Sequence, residues 1–476
     1  MKELSADVVV LGSGPAGYVC AIRLAQLGKK VTVVERAELG GVCLNRGCIP
    51  SKALIYAGGL IEKITHAQEL GITVEGVKVD FPKLVKWKDS VVSKLTAGVG
   101  GLLKANGCTV VKGDAKFTSP KSLQVKTPEG DLNLTFNSCV IAAGSRPLDL
   151  SAKIPGLTVD QKHICDSTGA LSMEKIPGRL LCVGGGYIGL ELGTFFAKIG
   201  TQVTVVEAMP QILSGVDADL TKVVEKRLGK LGVHLKLRTE LRSVKVGKSG
   251  VEATFFASET GKQETQIFDA VLVTVGRKSN ADLIGLEKTG LTADPQGFIK
   301  VDAQRRTSVP HLFAIGDIAG QPLLAHKGSK EGIVAAEAIA GLKTVYDVAA
   351  MPAVNFTDPE IATVGMTEGE AAKKGLKTKV GVFPFAANGR ALSVNEPDGF
   401  VKMVCEAQSG RVLGVHIVGA EASNLISEAV LAIEMGATAE DIALSVHPHP
   451  TLPETLMEAA EAAMGHAIHI FQPKKL

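Results

Sequence analysis

One structural unit occurs twice in this chain, and this repeat constrains the fold more than any other feature of the sequence. Residues 7–35 read as a buried strand, a glycine-rich turn, a helix and a second strand that ends in an acid, and residues 180–207 repeat that order. Equivalent positions lie 172 residues apart: Gly12 and Gly184, Gly14 and Gly186, Gly17 and Gly189, Gly28 and Gly200, and Glu35 and Glu207. A lone GxGxxG is weak evidence, but the full strand, turn, helix and strand context predicts two dinucleotide sites.

The glycines and the acid each have a physical role in such a site. The first glycine permits the tight turn, the second lets the backbone approach a pyrophosphate, and the third lets the helix pack on the strand. The helix N-terminus offers free N–H groups to the phosphates. The acid accepts hydrogen bonds from ribose hydroxyls and repels a 2′-phosphate, so Glu207 favours NAD over NADP.

Two such sites imply electron transfer between two carriers, typically a flavin and a nicotinamide. The spacing alone does not show which unit binds which carrier. The alternative is that one or both units are packing units without a ligand.

The rest of the chain divides around the two units. Turn-rich segments, SRPLDL and TVGRKSN, predict domains at residues 1–148 and 149–277. Residues 278–350 hold a further strand followed by Asp317, which by itself is most simply an acid that caps a strand end. Residues 351–476 mix strands with late helices and carry no nucleotide signature. The predicted fold is therefore α/β, with two Rossmann-like dinucleotide-binding domains and a C-terminal α+β domain.

Charge and composition exclude several classes of partner. The chain has 52 basic and 49 acidic residues for a formal net charge of +3, spread without a patch typical of nucleic-acid or membrane binding. The apolar runs are too short to span a bilayer. The sequence opens with a charged stub and no targeting pattern, so we expect a cytoplasmic protein or one already processed. Six of the 8 cysteines are scattered without metal-ligand spacing, and we expect no metal site.

Cys43 and Cys48 stand apart from the other cysteines. They lie in GGVCLNRGCIPSKAL, and a disulfide across so short a loop would restrict the unfolded chain too little for stability to be its purpose. In a reducing compartment the pair is a candidate redox-active disulfide that exchanges electrons with a neighbouring flavin. Arg46 and Lys52 are cations that could lower a thiol pKa, and Pro50 could hold the local distortion of a disulfide. The alternative is two inert thiols.

The segment HPHPTLPE near the C-terminus contains two histidines and an acid. Thr451 and Glu454 have the spacing of a capping box, which is the plain interpretation of Glu454. A carboxylate beside a histidine also orients the ring and makes it a better base for a thiol. His447 and His449 are both candidates for that base, or simply polar turn residues.

The motifs GSGPAG, GGVCLNRGCIPSKAL, IAAGSRP, GGGYIGLELG, TVGRKSN, LFAIGDIAG, FPFAANGRAL and HPHPTLPE, in this order, resemble those of the flavoprotein pyridine nucleotide-disulfide oxidoreductases. The resemblance covers nearly the whole chain, and it is to the members that act on dihydrolipoamide. It implies FAD at the first unit, NAD at the second, and a C-terminal domain that forms a homodimer and completes each active site with a histidine of the other subunit. Residues 278–350 would complete the FAD site.

The resemblance also implies individual site residues. FAD would contact Gly12, Gly14, Gly17, Glu35, Lys52, Ala115, Gly144, Asp317 and Ala325. NAD would contact Gly184, Gly186, Gly189, Glu207 and Gly276. The catalytic residues would be Cys43, Cys48, Lys52, Glu191, His449 and Glu454. In this set Lys52 would pair with Glu191 beside the reactive edge of the flavin.

The same resemblance implies a mechanism and partners. His449 of one subunit, oriented by Glu454, would deprotonate dihydrolipoamide, whose thiolate attacks Cys43 of the other subunit's disulfide. Cys48 would be left as a thiolate against the flavin, and the electrons would pass to NAD⁺. His447 would support the base, and the bond between His449 and Pro450 is expected to be cis. The implied partners are the lipoyl domains and core acyltransferase of 2-oxo acid dehydrogenase complexes, or a glycine cleavage complex, and the sequence does not indicate which.

A few positions depart from the family pattern or stay open. Arg46 replaces a small apolar residue and Val42 replaces a common Thr, and Tyr187 either covers the flavin or simply packs. For Arg46 the alternatives are a cation that stabilises a thiolate, a contact to a phosphate or an acidic partner, or a surface position, and we favour a non-catalytic ion pair.

Two other functions compete with this interpretation. One is reduction of glutathione-like disulfides or mercuric ion, against which stand Glu207 and the absence of a further cysteine pair near the C-terminus. The other is a structural or sensing flavoprotein, against which stands the complete catalytic set.

Overall fold

The computed structural model describes residues 2–472. The helices are α1 Pro15–Gln26, α2 Gly41–Arg46, α3 Cys48–Thr65, α4 Phe81–Ala105, α5 Ser167–Ala170, α6 Tyr187–Lys198, α7 Ala218–Lys230, α8 Ala325–Ile339, α9 Glu368–Lys373, α10 Gly389–Ser393, α11 Ala422–Met435, α12 Ala439–Leu444 and α13 Glu454–Met464. The strands are β1 Lys2–Leu11, β2 Val31–Glu35, β3 Thr109–Lys112, β4 Asp114–Ser119, β5 Ser122–Thr127, β6 Gly130–Ile141, β7 Ser145–Pro147, β8 Ile164–Cys165, β9 Arg179–Val183, β10 Gln202–Val206, β11 His234–Lys236, β12 Thr239–Gly247, β13 Gly250–Ala257, β14 Lys262–Phe268, β15 Ala270–Val273, β16 Arg277–Ser279, β17 Leu312–Ala314, β18 Ala353–Asn355, β19 Glu360–Gly365, β20 Thr378–Pro384, β21 Phe400–Glu406 and β22 Val412–Gly419.

The first sheet is built on the first glycine unit. The valine-rich ends of β1 and β2 are buried, as expected for parallel strands covered on both faces. The strand order is β3-β2-β1-β6-β5-β4, and β17 pairs in parallel with β6. Leu11, Ile141 and Ala314 therefore end neighbouring parallel strands at one edge of the sheet. This edge collects the first glycine turn, the loop after β6 and the turn that carries Asp317.

The second sheet repeats the arrangement around the second glycine unit. Its five strands are parallel in the order β11-β10-β9-β15-β8. The antiparallel strands β12, β13 and β14 form a separate small sheet that shares a buried core with β9 and β15. The parallel strands around each glycine unit, with their crossover helices, confirm the predicted pair of Rossmann-like units.

The C-terminal part of the described chain is an antiparallel sheet covered by helices. The strand order is β18-β19-β22-β21-β20, and residues of α11, α12 and α13 share its core. α13 lies so close to β20 that a Cβ on Gly381 would come within 2.0 Å of the carbonyl oxygen of Ala459. This confirms the expected α+β architecture after the second unit.

Helices α3 and α6 pack directly on each other and join the two Rossmann-like units. A Cβ on Gly58 of α3 would lie 3.1 Å from the ring of Phe195 of α6. The hairpin loop between β18 and β19 contacts both helices through Phe356 and Asp358. The C-terminal domain therefore reaches the junction between the two nucleotide units.

No helix in residues 2–472 is long and apolar enough to cross a membrane. Within the same residues, no group of three or more His, Cys, Asp or Glu side chains is arranged to hold a metal ion.

Candidate functional site

The first glycine of each unit has a backbone conformation that other residues rarely adopt. φ is +104° at Gly12 and +102° at Gly184. A Cβ at these positions would lie 2.4 Å from the carbonyl oxygen of Ala142 and 2.7 Å from that of Thr274, respectively. Only glycine fits these turns, as the sequence pattern predicts.

The second and third glycines of each unit differ in what surrounds them. A Cβ on Gly17 or Gly189 would lie 2.0 or 2.5 Å from the carbonyl oxygen of the first glycine, so these positions pack the helix against the turn. Gly14 and Gly186 have nothing within 4 Å of an added Cβ, and each precedes a helix without a side-chain cap. Open space beside free helix N–H groups is what a pyrophosphate requires, so both turns fit a dinucleotide.

The acids at the ends of β2 and β10 are held in the same way. Glu35 accepts hydrogen bonds from the Ser13 N–H at 2.8 Å and hydroxyl at 2.7 Å, and from the Ala37 N–H at 2.8 Å. Glu207 accepts from the two equivalent N–H groups of its own unit at 2.7 and 2.8 Å. The repeat therefore extends to the orientation of both carboxylates, each beside its own glycine turn.

A cavity along the carboxyl edge of the first sheet brings together most of the predicted FAD and redox residues. Those that line it are Gly12, Gly14, Glu35, Cys43, Cys48, Lys52, Ala115, Gly144, Glu191, Asp317 and Ala325. The predicted residues that do not line it are Gly17, Gly184, Gly186, Gly189, Glu207, Gly276, His449 and Glu454. Gly17 packs beneath the first turn, the second-unit residues surround their own turn, and the last two belong to the C-terminal domain.

Cys43 and Cys48 lie on two consecutive helices beside this cavity. α2 ends at Arg46, Gly47 breaks the helix, and α3 begins at Cys48. Both cysteines are free thiols. The pKa of Cys43 is raised, first by its hydrogen bond to Cys48 and then by burial. The pKa of Cys48 is lowered to about 7, first by that hydrogen bond and then, against the effect of burial, by the charge of Lys52. Cys48 is therefore the more acidic thiol, as a group that acts as thiolate requires.

Lys52 and Glu191 form the predicted ion pair on the wall of the cavity. The Lys52 ammonium lies 2.8 Å from Glu191 Oε2, and only 4% of the Glu191 side chain is exposed. The other carboxylate oxygen accepts the backbone N–H of Phe356 at 2.9 Å, and the Phe356 ring centroid lies 4.3 Å from the ammonium. The nearly buried carboxylate is thus fully paired, which avoids the penalty of a lone buried charge. The role of Phe356 had no sequence signal.

Asp317 lies in a short turn after β17 and not at a simple strand cap. Its carboxylate accepts the hydroxyl of Ser145 at 2.5 Å. Arg277 donates to the same hydroxyl and to the Ser145 carbonyl, both at 2.8 Å. Ser145 and Arg277 are absent from the predicted site, although both lie in motifs, IAAGSRP and TVGRKSN, that carry the family resemblance.

A buried acid on α8 holds the Asp317 turn in place. Glu331 is fully buried and accepts the Gly316 N–H at 2.7 Å. It also pairs with Arg305 at 3.0 Å and Lys327 at 3.3 Å. These residues are absent from the predicted site, and the spacing of Lys327 and Glu331 by four on a helix was the available sequence signal.

Arg46 forms the ion pair that the sequence analysis favoured. Its guanidinium donates to Glu38 Oε2 at 2.6 Å, and both side chains are about half exposed. This pair also lowers the pKa of Glu38, against a larger opposing effect of burial. Lys52 is therefore the cation that acts on Cys48, while Arg46 is occupied by a neighbouring acid.

Tyr187 lines the cavity from the start of α6. Its side chain remains partly exposed, and burial raises its pKa to about 12. The ring thus stands between the two nucleotide units, a position from which it either covers a flavin or packs beside it.

His449 and Glu454 are paired on the C-terminal domain. The carboxylate accepts from His449 Nδ1 at 2.9 Å and from the Thr451 N–H at 2.7 Å. These bonds lower the pKa of Glu454 against the larger opposing effect of burial. The His449 side chain is 79% exposed and does not line the cavity of its own chain. An exposed, oriented base away from its own thiols is what a site completed by a second subunit requires.

The loop around these residues corrects one sequence interpretation and supports another. Only half of the capping box forms: Glu454 accepts the Thr451 N–H, but the Thr451 hydroxyl donates to the carbonyl of Pro448, and α13 begins at Glu454 with Pro453 before it. The bond between His449 and Pro450 is cis, as expected. The ring of His447 is largely buried, with Nε2 at 3.0 Å from Glu428.

Comparison with known proteins places the chain in a family. A family model described as pyridine nucleotide-disulphide oxidoreductase matches residues 6–332, and a second model for the dimerisation domain of these enzymes matches residues 351–460. The chain belongs to the pyridine nucleotide-disulphide oxidoreductase family. Curated relatives include the dihydrolipoyl dehydrogenases of Bacillus subtilis (strain 168) and Geobacillus stearothermophilus, each 50% identical over 98% of both chains. The solved structure of LpdA from Mycobacterium tuberculosis superposes with a TM-score of 0.88 at 26% identity and covers 96% of this chain and 99% of that one.

Membership of the pyridine nucleotide-disulphide oxidoreductases confirms two predictions. The fold class is two nucleotide-binding units followed by a dimerisation domain, and the enzyme class is a flavoprotein oxidoreductase that uses FAD and a nicotinamide nucleotide. The match to the dimerisation domain supports the predicted homodimer.

Proposed function

We propose that this enzyme is a dihydrolipoyl dehydrogenase that oxidises protein-bound dihydrolipoyl groups and delivers the electrons to NAD⁺. The observation that carries the proposal is the pair Cys43 and Cys48, which shares one cavity with Lys52 and Glu191. Only Cys48 of the pair has a lowered pKa. The 50% identity to full-length dihydrolipoyl dehydrogenases supports the choice of substrate.

The residues that would hold FAD are those around the first glycine turn. Gly12, Gly14 and Gly17 would shape the pyrophosphate site, Glu35 would bind the adenosine ribose, and Asp317 would lie near the ribityl chain and phosphate. The backbone at Ala115, Gly144 and Ala325 and the side chain of Lys52 complete the set. When bound, FAD supplies the electron acceptor that accepts a pair from the thiols and passes it to the nicotinamide.

The second unit would hold NAD in the corresponding way. Gly184, Gly186 and Gly189 would shape its pyrophosphate site. Gly276, which directly precedes Arg277, would also contact NAD. Glu207, whose carboxylate is held by two N–H groups, would bind the ribose hydroxyls, and its negative charge would repel a 2′-phosphate.

The thiol chemistry begins at the base of the other subunit. His449 of the partner subunit, oriented by its own Glu454, removes the proton from one dihydrolipoyl thiol. The thiolate attacks Cys43 Sγ, the bond between Cys43 and Cys48 breaks, and Cys48 leaves as a thiolate beside Lys52. The second dihydrolipoyl thiol then attacks the mixed disulfide, which closes the lipoyl ring and releases Cys43 as a thiol. The electron pair of the substrate now resides on the two cysteines.

The proposed domain boundaries separate the two nucleotide sites and the subunit interface. Residues 1–148 and 278–350 form the FAD site, residues 149–277 the NAD site, and residues 351–476 the subunit interface. The partners are a second copy of this chain and the lipoyl domains and core acyltransferase of a 2-oxo acid dehydrogenase or glycine cleavage complex. A cytoplasmic location accords with these partners.

An anaerobic titration of the flavin tests the proposal. Dihydrolipoamide and NADH are expected to reduce the flavin, whereas reduced glutathione and NADPH at equal concentration are not. Cys48→Ser abolishes reduction by dihydrolipoamide, and Cys165→Ser, at a cysteine buried in the second sheet, serves as the matched control. Failure of dihydrolipoamide to reduce the flavin of the parent enzyme would contradict the proposed dihydrolipoyl dehydrogenase activity.

A further inference from the structure

Helices α3 and α6 are joined by two ion pairs at two levels. Lys52 of α3 pairs with Glu191 of α6 at 2.8 Å. Further along both helices, Glu62 of α3 pairs with Lys198 of α6 at 2.7 Å. The pair of Lys52 and Glu191, called the upper pair, lines the redox cavity. The side chains of Glu62 and Lys198, the lower pair, are each about 90% buried.

The hairpin loop between β18 and β19 contacts both ion pairs. At one end, Phe356 donates its N–H to Glu191 and places its ring over the Lys52 ammonium. At the other end, Asp358 lies 2.7 Å from Lys198 and 2.9 Å from Arg227 of α7. The mostly buried ion pairs of Asp358 anchor the loop, so Phe356 is presented to the upper pair from a fixed support.

We propose that Phe356 is a positioning residue for the redox site, which holds Lys52 and Glu191 so that the ammonium stays beside Cys48. A lysine side chain is long and flexible, and an ion pair to one carboxylate oxygen leaves it several rotamers. The aromatic face removes that freedom by attracting the ammonium from a second direction. The backbone N–H does the same for the carboxylate by engaging its other oxygen.

Within residues 2–472, the charged and titratable groups that act on Cys48 come from three helices. They are Cys43 of α2, Lys52 of α3, and Tyr187 and Glu191 of α6. Cys43 and Lys52 lower the pKa of Cys48, while Glu191 raises it. Movement of the Lys52 ammonium away from the thiol therefore raises the pKa of Cys48. A variant that keeps an aromatic ring at position 356 is expected to leave that pKa unchanged.

The test measures the thiol and needs no lipoyl substrate. The inference rests on the proposed role of Cys48, but a failure of dihydrolipoamide turnover would leave this measurement interpretable. The experiment uses the holoenzyme with the substitution Cys43→Ser, so that Cys48 is the remaining thiol of the pair. The rate at which iodoacetamide alkylates the peptide that contains Cys48 is measured as a function of pH. Phe356→Leu, Phe356→Met and Phe356→Tyr are added to this background.

Loss of the ring is expected to raise the midpoint pH of alkylation by about half a unit in the Leu and Met variants, the size of one such contact. Phe356→Tyr is expected to keep the parental midpoint. Phe256→Leu is the matched control, because its ring holds the Arg242 guanidinium at 4.7 Å on the distant hairpin of β12 and β13. The Met variant serves where the Leu variant does not fold. A parental midpoint after removal of the ring, or an equal shift in the Tyr variant, would overturn the proposal.

Discussion

The substitution Gly186→Ala separates nucleotide binding from folding at the second unit. Gly186 has φ −78° and ψ 171°, an extended conformation that alanine adopts without strain. An added Cβ meets nothing within 4 Å. The variant is therefore expected to fold with the stability of the parent. The new methyl group occupies the space through which a pyrophosphate must approach the N-terminus of α6.

The expected loss follows from the bond that the methyl group prevents. One hydrogen bond from a backbone N–H to a charged group contributes about 1.5–3 kcal/mol. Since 1.4 kcal/mol is a factor of ten, NADH binding is expected to weaken by roughly 10-fold to 100-fold. FAD content is expected to stay at the parental level, because the first unit is untouched.

Flavin reduction by NADH at increasing concentration measures the affinity, and the visible spectrum measures FAD content. Gly189→Ala is the matched control, since its Cβ would lie 2.5 Å from the carbonyl oxygen of Gly184. That variant is expected to lose about 1–3 kcal/mol of stability by overpacking. Gly14→Ala is expected to lose FAD instead of NADH. Parental NADH affinity in Gly186→Ala, or loss of its FAD, would refute the assignment of the two units.

Further predictions concern single side chains of the site. The alkylation rate of Cys48 in the reduced enzyme is expected to rise tenfold per pH unit up to about pH 7 and then to level off. The reason is that the pKa of Cys48 is lowered to about 7, so the thiol is protonated below that pH. A midpoint near the pKa of a free thiol would contradict this expectation. Arg46→Val is expected to leave that profile unchanged and to lower the free energy of unfolding by less than about 1 kcal/mol, so an upward shift of the midpoint would exclude a purely structural ion pair. Glu454→Gln is expected to slow dihydrolipoamide oxidation at least about tenfold at an unchanged melting temperature, because its histidine loses the orienting charge; an unchanged rate would count against it. Glu331→Ala, which leaves two buried cations without their carboxylate, is expected to lower the free energy of unfolding by about 3–5 kcal/mol, and Lys330→Ala on the exposed side of α8 serves as the control in the same denaturant titration.

The sequence predicts the two nucleotide units well because their chemistry is local. A glycine turn, a helix start and an acid after the next strand lie within 30 residues, and the bonds that fix the acid join residues 22 and 2 positions apart. The pairing of Lys52 with Glu191 across 139 residues was predicted only through family resemblance. The capping box predicted at Thr451 forms only in part: Glu454 accepts the Thr451 N–H, but the helix starts three residues after Thr451 and the Thr451 hydroxyl donates to the carbonyl of Pro448.

The sequence by itself determined the repeat, its glycine turns and acids, the closely spaced cysteine pair and the acid near His449, since each is a pattern of neighbouring residues. Only the tertiary structure decided which cation acts on Cys48, that Ser145 and Arg277 hold Asp317, and that Phe356 reaches Lys52 and Glu191. The contacts of Asp317 and Phe356 join residues more than 100 positions apart. They depend on how three domains pack at the junction of α3 and α6, and no local propensity specifies that arrangement.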